Sequence, residues 1–267
     1  MYRIFGADLK KLTSLGVGGT IGTLTVAERP EEVEPSVVLG RGTNVLAPDG
    51  GLKRALLPRI TGLKLTPDGL YAGAGEAIAA VAAFAAEAGL TGLEWAAGIP
   101  GSVGGAVFGN AGAFGTSVSD ALVFCEVSDG GTVRRLNRES CGFTVRASAV
   151  RGVVTGACFK VRPGDKSGIY AAMRKYAAFR RATQPRGRTA GSTFKAADRP
   201  AGWYLDRAGL KGERVGGAFV SGLHANFIIN DGTASAADVV ALIRVMKERV
   251  YAEFGVALEE EIVYLGE

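Results

Sequence analysis

The chain has 267 residues, 40 of them glycine and 47% hydrophobic, with a net charge of +5 and a mean hydropathy of +0.18. This excludes a disordered Gly-rich chain, and nine prolines without a Gly-X-Y repeat exclude collagen. The charge is modest for the length and points to an anionic small ligand rather than to nucleic acid.

The first third alternates short strands with Gly-rich bends. Val37-Val38-Leu39 reads as a strand running into Gly40-Arg41-Gly42-Thr43-Asn44, and Leu70 to Gly73 as another. Glu76 to Ala88 predicts a helix with Ile78, Val81 and Ala85 on one face and Gly89 as its stop. Gly98 to Gly115 holds seven glycines in eighteen residues, which predicts a loop or a tightly apposed turn and helix. Ala121 to Val127 and Thr132 to Leu136 flank Ser128-Asp129-Gly130-Gly131, a hairpin signal, and Val153 to Val161 is a further strand. Ser167 to Arg181 predicts a helix with Ile169, Met173 and Tyr176 on its apolar face, followed by a connector from Thr183 to Thr189. Gly217 to Val220 and Asn226 to Asn230 read as strands. Ser235 to Phe254 reads as a helix with a Ser235–Asp238 capping box and a stripe of Val239, Leu242, Ile243, Met246 and Val250. A strand from Glu261 to Leu265 ends the chain. Strands without regular βαβ alternation give an α+β class.

Several chemistries are excluded by what the sequence lacks. His224 is the single histidine, and Cys125, Cys141 and Cys158 are widely spaced with no Cys-x-x-Cys. Zinc chemistry and a disulfide framework are therefore not expected, and no metal site is assigned. No Gly-x-Ser-x-Gly elbow and no Gly-Lys dipeptide occur, which argues against an α/β-hydrolase and a Walker loop. The longest apolar run, Ala77 to Ala86, is too short to span a membrane, and the N-terminus reads as no signal peptide. A cytoplasmic protein is expected, with no membrane partner.

Three places begin like the Gly-x-Gly-x-x-Gly dinucleotide fingerprint and fail at its last position, at Val45, Ile21 and Ile78. Gly40 to Asn44 and Gly98 to Gly115 remain able to wrap a phosphate with backbone N–H groups, without a Rossmann helix.

These stretches carry a resemblance. Gly40-Arg41-Gly42-Thr43-Asn44-Val45-Leu46 is similar to the first flavin loop of the UDP-N-acetylenolpyruvoylglucosamine reductases. Gly98-Ile99-Pro100-Gly101-Ser102-Val103-Gly104-Gly105-Ala106, continued by Asn110-Ala111-Gly112-Ala113-Phe114-Gly115, is similar to their second. Arg146-Ala147-Ser148, Thr183-Gln184-Pro185, Ala190 to Lys195, Ala208 to Gly212, Ser221 to Asn230 and Gly255 to Glu261 match in the same order. The length resembles the compact subgroup. The sequence departs from the family pattern at Val145, where a Tyr is usual, and at Ala196-Ala197, where Asn-Pro is usual.

The resemblance implies an α+β, vanillyl-alcohol-oxidase-type flavin fold: two α+β FAD-binding subdomains (1–60 and 61–182), a substrate-binding α+β domain (183–257) and a C-terminal strand (258–267). It implies non-covalent FAD, held by Gly40, Arg41, Gly42, Thr43, Asn44 and Val45 and by Gly98, Ile99, Pro100, Gly101, Ser102, Gly104, Gly105, Asn110 and Gly112. It implies reduction of the enolpyruvyl ether of a UDP-sugar with NADPH, hydride coming from flavin N5. Arg146 would hold the carboxylate, Ser192 would give the proton, and Glu261 would assist. Lys195 and Arg188 would bind substrate. They lie in a stretch, Arg174 to Lys195, with seven basic residues and no acidic one. His224 is read as structural rather than as a base, and a monomer is favoured. Two other readings share these residues: an FAD oxidoreductase of the same fold with another substrate, and a non-catalytic nucleotide-binding protein. A nucleic-acid binder lacks any fold signature here.

Overall fold

The residue pattern sorts into two compact units in the computed structural model, which describes residues 1–266. One contains Met1–Ile4, Leu24–Arg41 and Arg54–Arg180; the other contains Phe5–Thr23, Gly42–Lys53 and the chain from Arg181 onward. No helix among the described residues is long and apolar enough to cross a membrane.

The first unit is built on a five-stranded antiparallel sheet. Its strand order is Thr132–Asn137, Leu122–Asp129, Val153–Phe159, Gly69–Gly73, Leu63–Thr66. The expected hairpin is present, with Asp129 opposite Thr132. Gly130 and Gly131 make its two-residue turn at φ +55° and +88°, the conformation that favours glycine in tight hairpins. Val153–Phe159 is buried at every position, so its side chains pack on both faces of the sheet and show no polar alternation. The helix Ile78–Glu87 lays Ile78, Val81, Ala82 and Ala85 into this core beside Leu70, Trp95, Val107 and Phe159. It stops at Gly89, in the left-handed region at φ +69°, as its sequence predicts. Helix Lys166–Thr183 buries only Ile169 fully, while Met173 packs partly on the core.

A four-stranded sheet runs in the order Tyr2–Asp8, Thr20–Ala27, Leu52–Pro58, Val37–Val38. The first three of these strands were not anticipated. Tyr2–Asp8 is an edge strand, exposed along most of its length, so it carries no in–out alternation to read.

The second unit rests on helix Ala236–Phe254, whose stripe of Val239, Leu242, Ile243, Met246 and Val250 is buried as expected. The predicted capping box forms: Asp238 N donates to Ser235 Oγ at 3.1 Å, and Ser235 N donates to the Asp238 carboxylate at 2.9 Å. Asp49 adds a second cap, accepting from the amides of Ala236 at 2.8 Å and Ala237 at 3.1 Å. Arg214–Val215, Ala218–Val220 and Ile228–Asn230 form a three-stranded sheet against the core that this helix shares. The expected C-terminal strand is shorter than its sequence predicts. Only Val263–Tyr264 pairs as a strand, parallel to Val45–Leu46, because Glu261 N is drawn aside to Thr193 O. Helix Ala201–Arg207, which buries Tyr204 and Leu205, was missed; at seven residues it shows no full apolar period.

Candidate active site

The second glycine stretch folds as a turn and a short helix, Val103–Phe108. Two glycines inside six residues are a poor helix by propensity, and the surroundings hold it. Val103 N donates to Glu76 O at 2.8 Å, Gly104 N to Ala74 O at 2.9 Å, and Gly105 N to Ser102 Oγ at 3.2 Å. These three amides serve the shape of the loop rather than standing open. The exposed residues of the stretch are Gly98, Pro100, Gly105, Phe108, Phe114 and Gly115. Asn110 is buried and structural in its contacts: Nδ2 donates to Thr144 O, and Oδ1 accepts from Ser119 N, both at 2.9 Å.

Arg146 sits in a tight turn closed by Thr144 N to Ala147 O at 3.0 Å and Ala147 N to Thr144 O at 3.3 Å. Its backbone has φ +57°, a conformation that costs a non-glycine residue about 1–2 kcal/mol. Such strain persists where the neighbours over-determine it, typically at a working site. Arg146 Nη1 donates to Gly112 O at 2.8 Å, so the guanidinium is aimed along the second glycine stretch. Val145 beside it is 71% exposed.

In the second unit the segment from Ser192 to Lys195 runs between two others. Ser192 bridges to Phe227, and Thr193 N donates to Asn226 O at 2.8 Å. On the other side Glu261 N donates to Thr193 O at 2.8 Å and Lys195 N to Glu259 O at 2.9 Å. Ser192 and Glu261 are therefore brought onto adjacent segments. The first glycine loop enters here too: Asn44 Nδ2 donates to Glu261 O at 3.0 Å, and Val263 N donates to Asn44 O at 3.0 Å. Sequence reasoning missed one residue that fixes this arrangement. Asn226 is buried; its Oδ1 accepts from Phe194 N at 3.0 Å, and its Nδ2 donates to Phe194 O at 2.8 Å. The only available signal was an asparagine inside the His224 to Phe227 motif. Lys195 forms an ion pair with Glu259. Arg188 is exposed, its side chain lying along Gly16 and Gly232.

His224 behaves as a structural side chain. Its Nδ1 accepts from Asn226 N at 3.2 Å, and burial holds its pKa below the ordinary value of 6.5. Protonation then favours the unfolded chain. The His224 contribution is complete above about pH 6.5 and lost as pH falls below it. His224→Gln should flatten the fall of melting temperature as pH drops below about 6.5, measured by thermal denaturation. A cavity of about 280 Å³ beside His224, reached by Trp203 and Lys211, was not anticipated.

The residues present fit a non-covalent flavin. A Cβ on Gly40 would stand 2.8 Å from Ser102 Oγ, so the Gly40 end of the first stretch lies close against the second, and a larger residue there would displace the Ser102 hydroxyl. The buried Trp95 indole N–H, just ahead of Gly98, meets no acceptor among the described residues. All three thiols are buried with raised pKa values, burial being the first cause, so none offers a thiolate for covalent attachment. Gly42 is the most constrained of the loop glycines: at φ +63°, a Cβ there would stand 2.2 Å from Leu12 O. Gly42→Ala is expected to lower unfolding stability by about 2–4 kcal/mol, measured by urea titration.

Residues 23–137 match the family model described as "FAD binding domain". Together with the glycine loops this defines a flavin-binding α+β fold of the vanillyl-alcohol-oxidase type. Residues 183–265 match the model described as "UDP-N-acetylenolpyruvoylglucosamine reductase, C-terminal domain". The chain belongs to the UDP-N-acetylenolpyruvoylglucosamine reductase family. It is 38% identical to that reductase from Gloeobacter violaceus, covering 98% of this chain and 95% of the relative. It is 37% identical to the one from Rubrobacter xylanophilus, with the same coverage of 98% and 95%. The crystal structure of the Thermus caldophilus reductase superposes with a TM-score of 0.86 at 38% identity, covering 98% of each chain.

Proposed function

We propose that this chain catalyses the FAD-dependent, NADPH-consuming reduction of the enolpyruvyl ether of UDP-N-acetylglucosamine to UDP-N-acetylmuramate, a step of peptidoglycan precursor synthesis. The observation that carries this reading is the pairing of the Ser192 and Glu261 segments through Thr193, within a region that matches the C-terminal domain of these reductases.

Bound FAD supplies the hydride, taken from NADPH, and the loops Gly40 to Val45 and Gly98 to Gly112 are the residues that would hold it. Reduction of the enolpyruvyl double bond builds negative charge on the carbon bearing the carboxylate. The Arg146 guanidinium holds that carboxylate by two parallel N–H donors and stabilises the charge as it grows. Ser192 Oγ–H delivers the proton to the same carbon. A serine is a weak acid in isolation, so it acts because the developing carbanion is a strong base. Glu261 supports the charge and the proton movement. Lys195 and Arg188 supply positive charge for the diphosphate.

On the same reading, residues 1–60 and 61–182 are the flavin-binding parts and 183–257 the substrate-binding part. Residues 258–267 form the C-terminal segment, in which Glu267 lies outside the described residues. The protein works in the cytoplasm as a monomer, where NADPH and UDP-sugars are available.

The test is a visible spectrum and an NADPH oxidation assay on the purified protein. A yellow protein that oxidises NADPH rapidly only when the enolpyruvyl sugar is present supports the reading. A colourless protein that takes up no FAD contradicts it.

A further inference from the structure

Among the described residues, left-handed backbone outside glycine occurs at Asn110, Phe114 and Arg146. Such backbone persists where surrounding bonds over-determine it. All three residues fall on two segments of the first unit that are bonded to each other, 108–114 and 144–148. Arg146 takes the third place of the turn from Thr144 to Ala147, a place that glycine or asparagine ordinarily fills when φ is positive there.

Two side chains fix the legs of that turn, one two residues before Arg146 and one two residues after it. Asn110 Nδ2 donates to Thr144 O at 2.9 Å, so this carbonyl accepts both the Asn110 amide and Ala147 N. Asn110 is buried, and its Oδ1 accepts from Ser119 N at 2.9 Å, which holds the amide at both ends. Ser148 Oγ donates to Phe108 O at 2.7 Å, one of the carbonyls at the end of helix Val103–Phe108 that the helix itself does not bond. Between these two bonds Arg146 Nη1 reaches Gly112 O. Thr144 and Ala147 close the turn by backbone bonds alone. What Asn110 and Ser148 add is the placement of the closed turn against the second glycine stretch.

We infer that Asn110 and Ser148 are positioning residues for the reaction: together they latch the Arg146 turn to the second glycine stretch and set where its guanidinium meets the substrate. This role rests on the assignment of the enolpyruvyl carboxylate to Arg146 in the proposed function. A misplacement of about 1 Å in a group that acts on the reacting atoms costs on the order of 10²-fold in rate, which is the scale a failed latch would show.

The test follows reoxidation of NADPH-reduced, FAD-loaded protein by the UDP-N-acetylglucosamine enolpyruvyl ether, in the wild-type background and in an Arg146→Lys background. Asn110→Asp keeps the acceptor for Ser119 N and sets a carboxylate oxygen against Thr144 O in place of the donor. It is expected to slow reoxidation by about 10–100-fold in the wild-type background. In the Arg146→Lys background the same change should cost no more than about twofold, because a residue that acts through Arg146 has little left to act on. Ser148→Ala should slow reoxidation by about 3–10-fold, the scale of one lost hydrogen bond, and Ser148→Thr, which keeps the hydroxyl, should restore it to within about twofold. The two Ser148 variants carry the test if Asn110→Asp does not fold. Flavin content and reduction by NADPH should match wild type throughout. Equal slowing in both backgrounds would make the two residues general supports of the fold and overturn the inference. Unchanged reoxidation in the wild-type background would also overturn it, as would loss of FAD from a folded variant. Wild-type protein whose reduced flavin the enolpyruvyl sugar does not reoxidise would overturn the proposed function, and this inference with it.

Discussion

Ser192→Ala is expected to slow reoxidation of the reduced flavin by the enolpyruvyl sugar by about 10²–10⁴-fold, the usual contribution of a positioned proton donor. Reduction of the flavin by NADPH should be unchanged, because no proton from Ser192 enters that half of the reaction. Affinity for the sugar should change little, since the Ser192 backbone is held by the Phe227 bridge and not by its side chain. Stopped-flow measurement of the two half-reactions separates these outcomes. Equal loss in both would remove Ser192 from the role of proton donor and assign it to the shape of the segment.

Arg146→Lys is expected to lower turnover by about 10²–10³-fold, the scale seen when one donor to a developing oxyanion is removed. Lysine keeps the charge but not the planar fork that matches a carboxylate. Unlike Ser192→Ala, this change should also weaken sugar binding, because the carboxylate is present before and after reduction. A rise in KM together with a fall in kcat is the expected signature. The left-handed backbone at Arg146 gives a further expectation: Arg146→Gly relieves the backbone strain and should fold well while losing activity. A well-folded glycine variant that retains full turnover would contradict the assignment.

The glycine stretches were legible because glycine marks where backbone must turn or come close. Gly40 against Ser102 and Gly42 against Leu12 O are the contacts that such a composition foreshadows. The helix Ala236–Phe254 was legible from its capping box and apolar stripe. The hairpin at Gly130-Gly131 was legible from turn chemistry. The strands Tyr2–Asp8 and Leu52–Pro58 were not, since their burial follows no strict alternation. Long-range bonds were equally hidden. Asn44 meets Glu261 across 217 positions, and no local pattern encodes that pairing. Asn226 looks like any turn residue in sequence, yet both ends of its amide are committed to the Phe194 backbone. The roles proposed for Arg146, Ser192 and Glu261 rest on ordered motif resemblance. Taken alone, each is a common surface residue type.

The central claim is that electrons pass from NADPH through the bound flavin to the enolpyruvyl sugar. The direct measurement is anaerobic: reduce the FAD-loaded protein with one equivalent of NADPH, add the UDP-N-acetylglucosamine enolpyruvyl ether, and follow flavin absorbance and product. The account predicts full return of the oxidised spectrum, with one UDP-N-acetylmuramate formed per flavin reoxidised. A flavin that NADPH bleaches but that stays reduced in the presence of this sugar would contradict it.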